Sequence, residues 1–405
     1  MVPNGWDYST LESLCEKDAP ITYGVLKPGD YVADGVPLLQ IKDLLLNLSD
    51  LESVHRISKE LDEQYRRSKI KTNDILISLV GTIGRIAIVP KQLDNANIHR
   101  NLGRIRAKNY EFLYHYLQSD IAKNRFGISS SGSSQSALNL TVLRALKVPE
   151  PPLPEQQKIA NILSTWDKAI STTERLIENS TQQKKALMQQ LLTGKKRLLD
   201  ENGKRFEGEW EKKSIDEVAK VITGSTPSTK NSDYYGGEYL FVSPADLGVS
   251  KYINQTAKTL TDLGIEKTRL IPKGSSLFTC IGSTIGKLGL AGRELATNQQ
   301  INSVLSKKSY SNEYVYYQLL LNAKKIQNSA AVQAVPIINK TNFESQLLFF
   351  PPFLQEQQKI AAVLTNADKE IELLEQQLAD LQQEKKALMQ VLLTGKKRVR
   401  IDEIV

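Results

Sequence analysis

The sequence predicts an α/β fold class: two mixed α/β heads joined by two long helices that pack as an antiparallel coiled coil, in a pseudo-two-fold internal repeat. Three observations lead to this prediction. The letters LLTGKKR stand at 191–197 and return at 392–398. The segments that end in these letters carry apolar residues at heptad spacing, which indicates long paired helices. Each follows a longer segment of short β-branched runs punctuated by glycine, the pattern of a mixed α/β domain.

Composition places the chain among ordinary globular proteins. It has 405 residues, 40% hydrophobic and 24% charged, and this length suggests two or three domains. The net charge of +8 is spread thinly, so it permits a polyanionic partner without predicting one. We expect no membrane span and no secretory signal, because the sequence has neither pattern. Two isolated cysteines, Cys15 and Cys280, fit a reducing cytoplasm and predict no metal site.

The repeated segments read as long helices. Residues 155–198 align with 356–399 without a gap, and 25 of the 44 positions are identical, which excludes chance. Pro154 stands where the first turn of a helix tolerates proline. Gly194 and Gly395 are placed to end the two helices in a left-handed conformation. About 38 residues at about 1.5 Å each give a helix of about 57 Å.

Each helix carries an apolar stripe that needs a partner. Thr173, Ser180 and Lys184 interrupt the first stripe, and Lys385 interrupts the second. The two stripes are expected to pack on each other in antiparallel fashion; the alternative is that each helix packs on its own head. The predicted coiled-coil core is Ile159, Leu163, Trp166, Ile170, Ile177, Leu187 and Leu191 in the first helix and Ile360, Leu364, Ile371, Leu374, Leu378, Leu381, Leu388 and Leu392 in the second.

The domain boundaries follow from the repeat. We predict a first head at 1–150, a helical region at 151–199, a second head at 200–350 and a second helical region at 351–405. The heads correspond faintly: 70–89 matches 271–291 with one inserted residue, and Asn97 and Asn101 match Asn298 and Asn302. Since the helices stay nearly identical while the heads diverge, the heads are expected to bind different things.

Two motifs resemble catalytic sites without carrying the chemistry. GSTIGK at 282–287 has three residues between its glycines instead of four and no Ser or Thr after the lysine, so it is not a phosphate-binding P-loop. FPPF at 350–353 and EPPL at 150–153 lack the polar first residue or the aromatic ring of an adenine methyltransferase tetrapeptide. The histidines His55, His99 and His115 show no metal spacing and no nucleophile partner. We therefore expect a non-catalytic chain.

Two features stay open at this stage. SSSGSSQS at 129–136 fits either a loop that orders on a ligand or a plain flexible linker. KKR at 195–197 and 396–398 fits a solvated helix end better than a nucleic-acid contact.

Two unlike α/β heads, each followed by a helix carrying EQQKIA, KKALMQ and LLTGKKR, resemble the specificity subunit of type I restriction-modification enzymes. The resemblance covers essentially the whole chain, and its most specific parts are the paired helices, the GTIG/STIG pair and ITGSTPSTKNSDYYGG at 222–237. It implies that each head is a target recognition domain reading one half of a split sequence in double-stranded DNA. It also implies that the helices dock two modification subunits, which bind S-adenosylmethionine and methylate adenine, and that restriction motor subunits complete the complex. The chain itself would need no cofactor.

The same resemblance places the candidate DNA contacts. The family's recurrent head motifs fall on GSTPS (224–228), PADL (244–247) and GSTIGK in the second head, and on KDL (42–44) and GTIGR (81–85) in the first, where YGVLKPGDYVADG (23–35) departs from the GSTPS pattern. Basic and hydroxyl side chains in or near these motifs are predicted to contact DNA: Lys42, Arg85, Arg100, Arg104, Thr226, Lys230, Lys287 and Lys340. Two rival functions remain, a coiled-coil scaffold with protein-binding heads and a stand-alone DNA-binding regulator.

Overall fold

The heads and the long helices are divided between two compact units. The computed structural model describes residues 3–45, 48, 50–126, 137–330 and 335–401. The first unit contains Met1–Glu174 and Gln376–Val405, and the second contains Arg175–Glu375. Each long helix therefore contributes one part to each unit. The serine-rich stretch 129–136 lies outside the described residues.

The first head is built from short strands and short helices. The elements are β1 (Asp7–Thr10), β2 (Thr22–Tyr23), β3 (Val36–Leu39), α1 (Ile41–Leu45), β4 (His55–Ile57), α2 (Lys59–Gln64), β5 (Ile75–Ser78), β6 (Ile86–Ile88), β7 (Asn97–Ile98), β8 (Leu102–Ile105), α3 (Tyr110–Gln118), α4 (Asp120–Arg125), α5 (Leu140–Arg144) and β9 (Lys147–Glu150). A four-stranded sheet has the order β2-β8-β5-β6, a three-stranded sheet has the order β4-β3-β7, and β1 pairs with β9. All of these pairings are antiparallel except β3 with β7.

The second head repeats this plan between the long helices α6 (Leu153–Leu191) and α11 (Leu354–Leu392). The elements are β10 (Glu211–Ser214), α7 (Ile215–Val218), β11 (Ala219–Thr223), β12 (Tyr235–Val242), β13 (Tyr252–Ile253), β14 (Lys258–Leu260), α8 (Asp262–Ile265), β15 (Ser276–Thr279), β16 (Leu288–Ala291), β17 (Leu295–Thr297), β18 (Ile301–Ser306), α9 (Asn312–Asn328), α10 (Lys340–Glu344) and β19 (Leu347–Phe350). Its sheets have the orders β11-β18-β15-β16-β13, β14-β12-β17 and β10-β19. The prediction of two mixed α/β heads is confirmed.

The hydrogen bonds around β5 and β15 confirm the predicted match of 70–89 with 271–291. In the first head the Ser78 amide donates to the Arg85 carbonyl (2.9 Å), and in the second head the Thr279 amide donates to the Lys287 carbonyl (2.9 Å). Six residues separate the two partners in the first head and seven in the second. The single inserted residue therefore lies in this loop, and Arg85 and Lys287 are equivalent.

The predicted match of the asparagines is wrong by two positions. The parallel pairing places Ile98 beside Leu39, and the equivalent pairing in the second head places Thr297 beside Val242. Asn101 is consequently equivalent to Gln300, not to Asn302. The reason is that the connection between β6 and β7 is longer than the one between β16 and β17, which shifts the alignment after the loop.

Both long helices have 39 residues and end in the predicted way. Gly194 and Gly395 each have φ of +71°, the left-handed conformation that glycine adopts without steric cost. The prolines of EPPL and FPPF end a strand and begin a helix, since β9 and β19 stop at Glu150 and Phe350 and α6 and α11 start three and four residues later.

Side-chain contacts in the first unit show that its helix segments run in opposite directions. Arg398 binds the Glu155 carboxylate through two nitrogens, both 2.7 Å from oxygen. Lys385 forms an ion pair with Asp167. As the contacts advance along α6 from 155 to 167, they step back along the other segment from 398 to 385. The antiparallel prediction is confirmed within this unit.

The second unit contains the same two contacts with the copies exchanged. Arg197 binds both oxygens of Glu356, with a distance of 2.7 Å from Nη2 to Oε2. Lys184 forms an ion pair with Asp368. Lys184 and Lys385 looked like defects in the apolar stripes, but each pairs with an aspartate of the other helix. Polar pairs of this kind fix the register of paired helices, because a slip would leave a charge unpaired.

The predicted core residues divide into two groups. Six are buried, namely Ile159, Leu163, Leu191, Ile360, Leu364 and Leu392, and the other nine are half-buried. The buried residues near the helix ends belong to the cores of the heads: Ile159 and Leu163 share one hydrophobic cluster with Tyr116 and Leu392. The end segments of the helices contact a head and the other helix together. Leu392 of the second helix lies in the core of the first head, so the prediction that the helices pack on each other holds and the alternative that each packs on its own head does not.

Within the described residues, no helix is both long enough and apolar enough to cross a membrane. The same part of the chain contains no group of three or more His, Cys, Asp or Glu side chains arranged to hold a metal ion.

Candidate DNA interface

The GSTPS loop of the second head lies against the turn that follows β17, residues 298–301. The Ser225 amide donates to the Thr297 carbonyl (3.0 Å). A Cβ on Gly224 would lie 2.2 Å from the Asn298 carbonyl oxygen, far inside van der Waals contact. Glycine is required here by the close approach of two backbones. The motif therefore has a structural role that brings its next residue, Thr226, beside the turn.

Two other motif segments meet the same turn. The Asn298 amide donates to the Val242 carbonyl at the end of β12 (3.0 Å), directly before the PADL segment (244–247). The Cys280 amide, at the start of the STIG loop, donates to the Gln300 carbonyl (2.8 Å). The second head thus gathers GSTPS, PADL and GSTIGK around one turn.

The first head gathers the equivalent segments, although YGVLKPGDYVADG does not resemble GSTPS. The Val25 amide donates to the Ile98 carbonyl (2.8 Å), and the His99 amide donates to the Leu39 carbonyl (2.9 Å). A Cβ on Gly24 would lie 1.6 Å from the Ile98 oxygen. Gly24 consequently takes the place of Gly224. The signal missed in the sequence was the single glycine after β2, since the polar letters around it are not shared.

The surroundings of His99 in the first turn determine the protonation of its imidazole. His99 is partly buried, and this burial, together with the charge of Arg100, lowers the pKa of its imidazole. A neutral ring has an acceptor nitrogen, and Nδ1 accepts from the Asn101 amide at 3.4 Å. In the second head the Asn298 Oδ1 atom accepts from the Gln300 amide at 3.1 Å. The two turns are closed by the same hydrogen bond from different side chains.

Three of the four candidates in the first head lie on its surface. Lys42, Arg85 and Arg100 are exposed, and Lys42 sits at the start of α1, where its ammonium donates to the Ser53 carbonyl at 3.4 Å. The GTIGR loop lies beside α1, since a Cβ on Gly81 would be 3.9 Å from the Ile41 side chain. Lys42 and Arg85 therefore belong to neighbouring surface segments, and Arg100 lies within the turn itself.

Arg104 is placed differently, and its position does not support the prediction that it contacts DNA. It lies within β8 with 3% of its surface exposed. Its guanidinium donates to the carbonyls of Pro20 (2.8 Å) and Lys69 (3.3 Å). The residue holds two loops to the sheet, and its charge faces the protein interior.

The four candidates in the second head are spread more widely. Thr226 is exposed and donates its hydroxyl proton to the Gln299 side chain. Lys287 is half-buried, and its methylene groups lie 3.8 Å from the position of a Cβ on Gly248, beside the PADL segment. Lys230 and Lys340 are exposed, and Lys340 pairs with Glu344 one helical turn on. Of these four, Thr226 contacts the turn through Gln299, and Lys287 lies beside the PADL segment.

The STIG loop has no P-loop geometry. It joins the antiparallel strands β15 and β16, and no helix follows it. A P-loop requires a helix whose first amides hold the phosphates, so the loop and its two strands form a strand–turn–strand element, as expected of a motif that departs from the P-loop pattern.

Both halves of the chain match one family model. Residues 3–180 and 207–383 each match the type I restriction modification DNA specificity domain. The chain belongs to the type I restriction-modification DNA specificity family. The resemblance stated from the motifs is thereby confirmed.

Individual relatives and solved structures agree with this family. The chain is 34% identical over 197 residues to the EcoBI type I restriction enzyme specificity subunit of Escherichia coli, which covers 47% of this chain and 41% of that protein. It is 24% identical over 349 residues to the MjaVIII specificity subunit of Methanocaldococcus jannaschii, covering 82% of this chain and 80% of that one. The fold is similar to a solved S subunit from M. genitalium, with a TM-score of 0.60 and 14% identity over 97% of both chains.

Membership of the specificity family settles the coarse function. The chain is a non-catalytic subunit that serves DNA sequence recognition in a type I restriction-modification system, and it interacts with DNA and with other subunits of that system.

Proposed function

We propose that the chain reads a bipartite, asymmetric sequence in double-stranded DNA, with each head reading one half-site and an unread spacer between them. The observation that carries this proposal is the presence of two specificity domains in one chain, at 3–180 and 207–383. The turns at the centre of the two heads have the same backbone and different side chains. Two heads that share a backbone arrangement but present different side chains suit a DNA target whose two half-sites differ.

The partners in this proposal are two modification subunits, with restriction motor subunits in the full complex. The first unit contains the ion pair Glu155–Arg398, and the second contains the equivalent pair Glu356–Arg197 with the roles of the two helices exchanged. Each unit therefore offers the same arrangement of helix segments to a partner. Two equivalent surfaces suit two copies of one subunit. The modification subunits bind S-adenosylmethionine and methylate adenine, and this chain needs no cofactor of its own. A cytoplasmic location suits its DNA substrate, and the free thiols of Cys15 and Cys280 are compatible with it.

The test is to express the chain with the modification subunit of its own system and to map N6-methyladenine across the host genome. We expect one gapped motif with different halves when both proteins are present and no methylation when either is left out. Methylation by this chain alone would indicate that the chain is itself an enzyme. DNA binding without any dependence of methylation on this chain would favour the stand-alone regulator, and no DNA binding would favour the scaffold.

A further inference from the structure

Two turns occupy the same place in the two heads and have the same hydrogen bonds. In the first head the Leu102 amide donates to the His99 carbonyl (2.9 Å), which closes the turn 99–102. In the second head the Ile301 amide donates to the Asn298 carbonyl (3.2 Å), which closes the turn 298–301. Each turn connects a strand of the three-stranded sheet to a strand of the larger sheet. Arg100 is therefore the equivalent of Gln299.

The backbones of both turns are fixed from three sides. The amide of the first turn residue donates to the end of β3 or β12, and the carbonyl of the third residue accepts from the start of the GTIG or STIG loop. Gly24 and Gly224 press against the remaining side, where no Cβ fits. A turn held in this way fixes the Cα position of its second residue, so the backbone loses little conformational entropy when that side chain binds a ligand.

The second residue of each turn is exposed to solvent. Within the described residues, the Arg100 guanidinium makes no hydrogen bond and no ion pair, while its amide is held by the Val25 carbonyl at 2.9 Å. The Gln299 side chain is oriented by Thr226, whose hydroxyl donates to Oε1. One lone pair of Oε1 and both protons of Nε2 remain available to a ligand.

We propose that Arg100 and Gln299 are base-reading residues of the two heads, Arg100 for a guanine in one half-site and Gln299 for an adenine in the other. This inference rests on the proposed function and names the chemistry of its two half-sites. The guanidinium matches the two acceptors of guanine, O6 and N7, in the major groove. The glutamine amide matches adenine, with Nε2 donating to N7 and Oε1 accepting from the N6 amino group. Thr226 is a positioning residue, because it fixes the direction of the amide.

Exchanging the two side chains tests the assignment in the full complex. The variants are Arg100→Gln and Gln299→Arg, each expressed with the modification subunit and mapped for N6-methyladenine beside the wild type. We expect Arg100→Gln to change one guanine of one half-site to adenine, and Gln299→Arg to change one adenine of the other half-site to guanine. The preference for the original base should fall by roughly 5- to 150-fold, the value of one bidentate contact.

Matched controls separate base reading from a general effect of charge. Arg66→Gln removes the same charge from an exposed position in the first head, where Glu63, at 3.7 Å, is the one ion-pair partner of Arg66 among the residues that the structure describes. Gln255→Arg adds the same charge at an exposed position in the second head. Both controls should leave every base of the motif unchanged. Thr226→Val should weaken the adenine preference without creating a guanine preference, which a merely structural role would not do.

Three outcomes overturn the inference. If Arg100→Gln lowers methylation equally at all sites with no change of base, Arg100 grips a phosphate. If both exchanges leave the motif intact, the turns do not read bases, while the proposed function stands because the wild type still methylates a gapped motif. If the wild type itself methylates no gapped motif, the proposed function fails, and the base assignment fails with it. Thermal unfolding of each variant against wild type identifies a folding defect, and a folded Arg100→Ala variant must still lose the guanine preference.

Discussion

Arg197, six residues after the end of the first long helix, binds the buried carboxylate of Glu356 in the first turn of the second. Glu356 is fully buried, and the Arg197 side chain is 16% exposed. Arg398 and Glu155 form the same pair in the other unit. The last letter of each LLTGKKR therefore contacts the first letter of the EQQKIA in the other copy. This reciprocity is a structural reason for the chain to contain both motifs twice.

Replacing Arg197 with methionine should destabilise the second unit. A buried carboxylate that loses its partner costs about 3 to 5 kcal/mol. The measurement is hydrogen–deuterium exchange of peptides from the second unit, read as a loss of protection in β19 and at the start of α11 relative to wild type. Lys195→Met is the matched control, because Lys195 lies in the same KKR motif and is exposed. Equal protection in the two variants would show that the ion pair does not stabilise the unit.

The burial of His115 should make the first unit sensitive to mild acid. Burial lowers the pKa of His115 from 6.5 to about 4, against the smaller opposing effect of Asp167. Between these values the unfolded chain binds the proton and the folded chain does not, so stability is lost as the pH falls from 6.5 towards 4. This group should remove about 2 kcal/mol between pH 7.5 and pH 5.

The second unit is an internal control for this pH dependence. Tyr317 occupies the place of His115, since it contacts Thr365 and Asp368 as His115 contacts Ser164 and Asp167. Burial raises the pKa of Tyr317, so it stays neutral across this range. Hydrogen exchange at pH 7.5 and pH 5 should show the loss in α3 of the wild type and not in His115→Gln. The same loss in both proteins would assign the acid sensitivity to other groups.

Gly24→Ala should disrupt DNA recognition by the first head and leave that of the second head intact. The added Cβ meets the Ile98 carbonyl at 1.6 Å, so one of the two backbones must move. Overpacking of this kind costs about 1 to 3 kcal/mol and displaces the turn that carries Arg100. We expect methylated sites in which the first half-site is degenerate and the second is intact. Asp30→Ala is the control, because Asp30 is an exposed residue of the same segment, and it should leave both half-sites unchanged.

Lengthening both long helices by one heptad should change the length of the unread spacer. The insertions belong after Glu174 and after Glu375, where each helix passes from one unit to the other. At these places they leave the Arg–Glu and Lys–Asp pairs of each unit intact. Methylation mapping should show the same two half-sites at a new separation or no methylation at all. An unaltered spacer in an active complex would exclude the helices as the determinant of spacing.

The paired helices were predictable in detail because a long repeat with heptad spacing allows few alternative structures. Heptad spacing gave the two apolar stripes, and Gly194 and Gly395 marked both ends. The partners of Lys184 and Lys385 were not predictable, because a lysine in an apolar stripe has the same letter whether it is solvated or paired. Only the antiparallel register shows that Asp368 and Asp167 lie opposite them.

The interface was predictable only at loops whose sequence motif is shared by the two heads. The loops carrying Arg85 and Lys287 were aligned correctly, because both heads keep the same glycines there. Gly24 was missed, since its role depends on a carbonyl that is distant in sequence. Arg104 was predicted as a DNA contact although all four residues of β8 are buried, because an arginine that holds loops from inside a strand has the same letter as one on the surface.

The most direct test of the account is to exchange one head. The second head, residues 207–350, is replaced by the equivalent segment of a family member with a different target, while both long helices are kept, and the complex is mapped for N6-methyladenine. We expect one half-site to change to that of the donor, while the other half-site and the spacer stay the same. A change in both half-sites, or in neither while methylation continues, would contradict it.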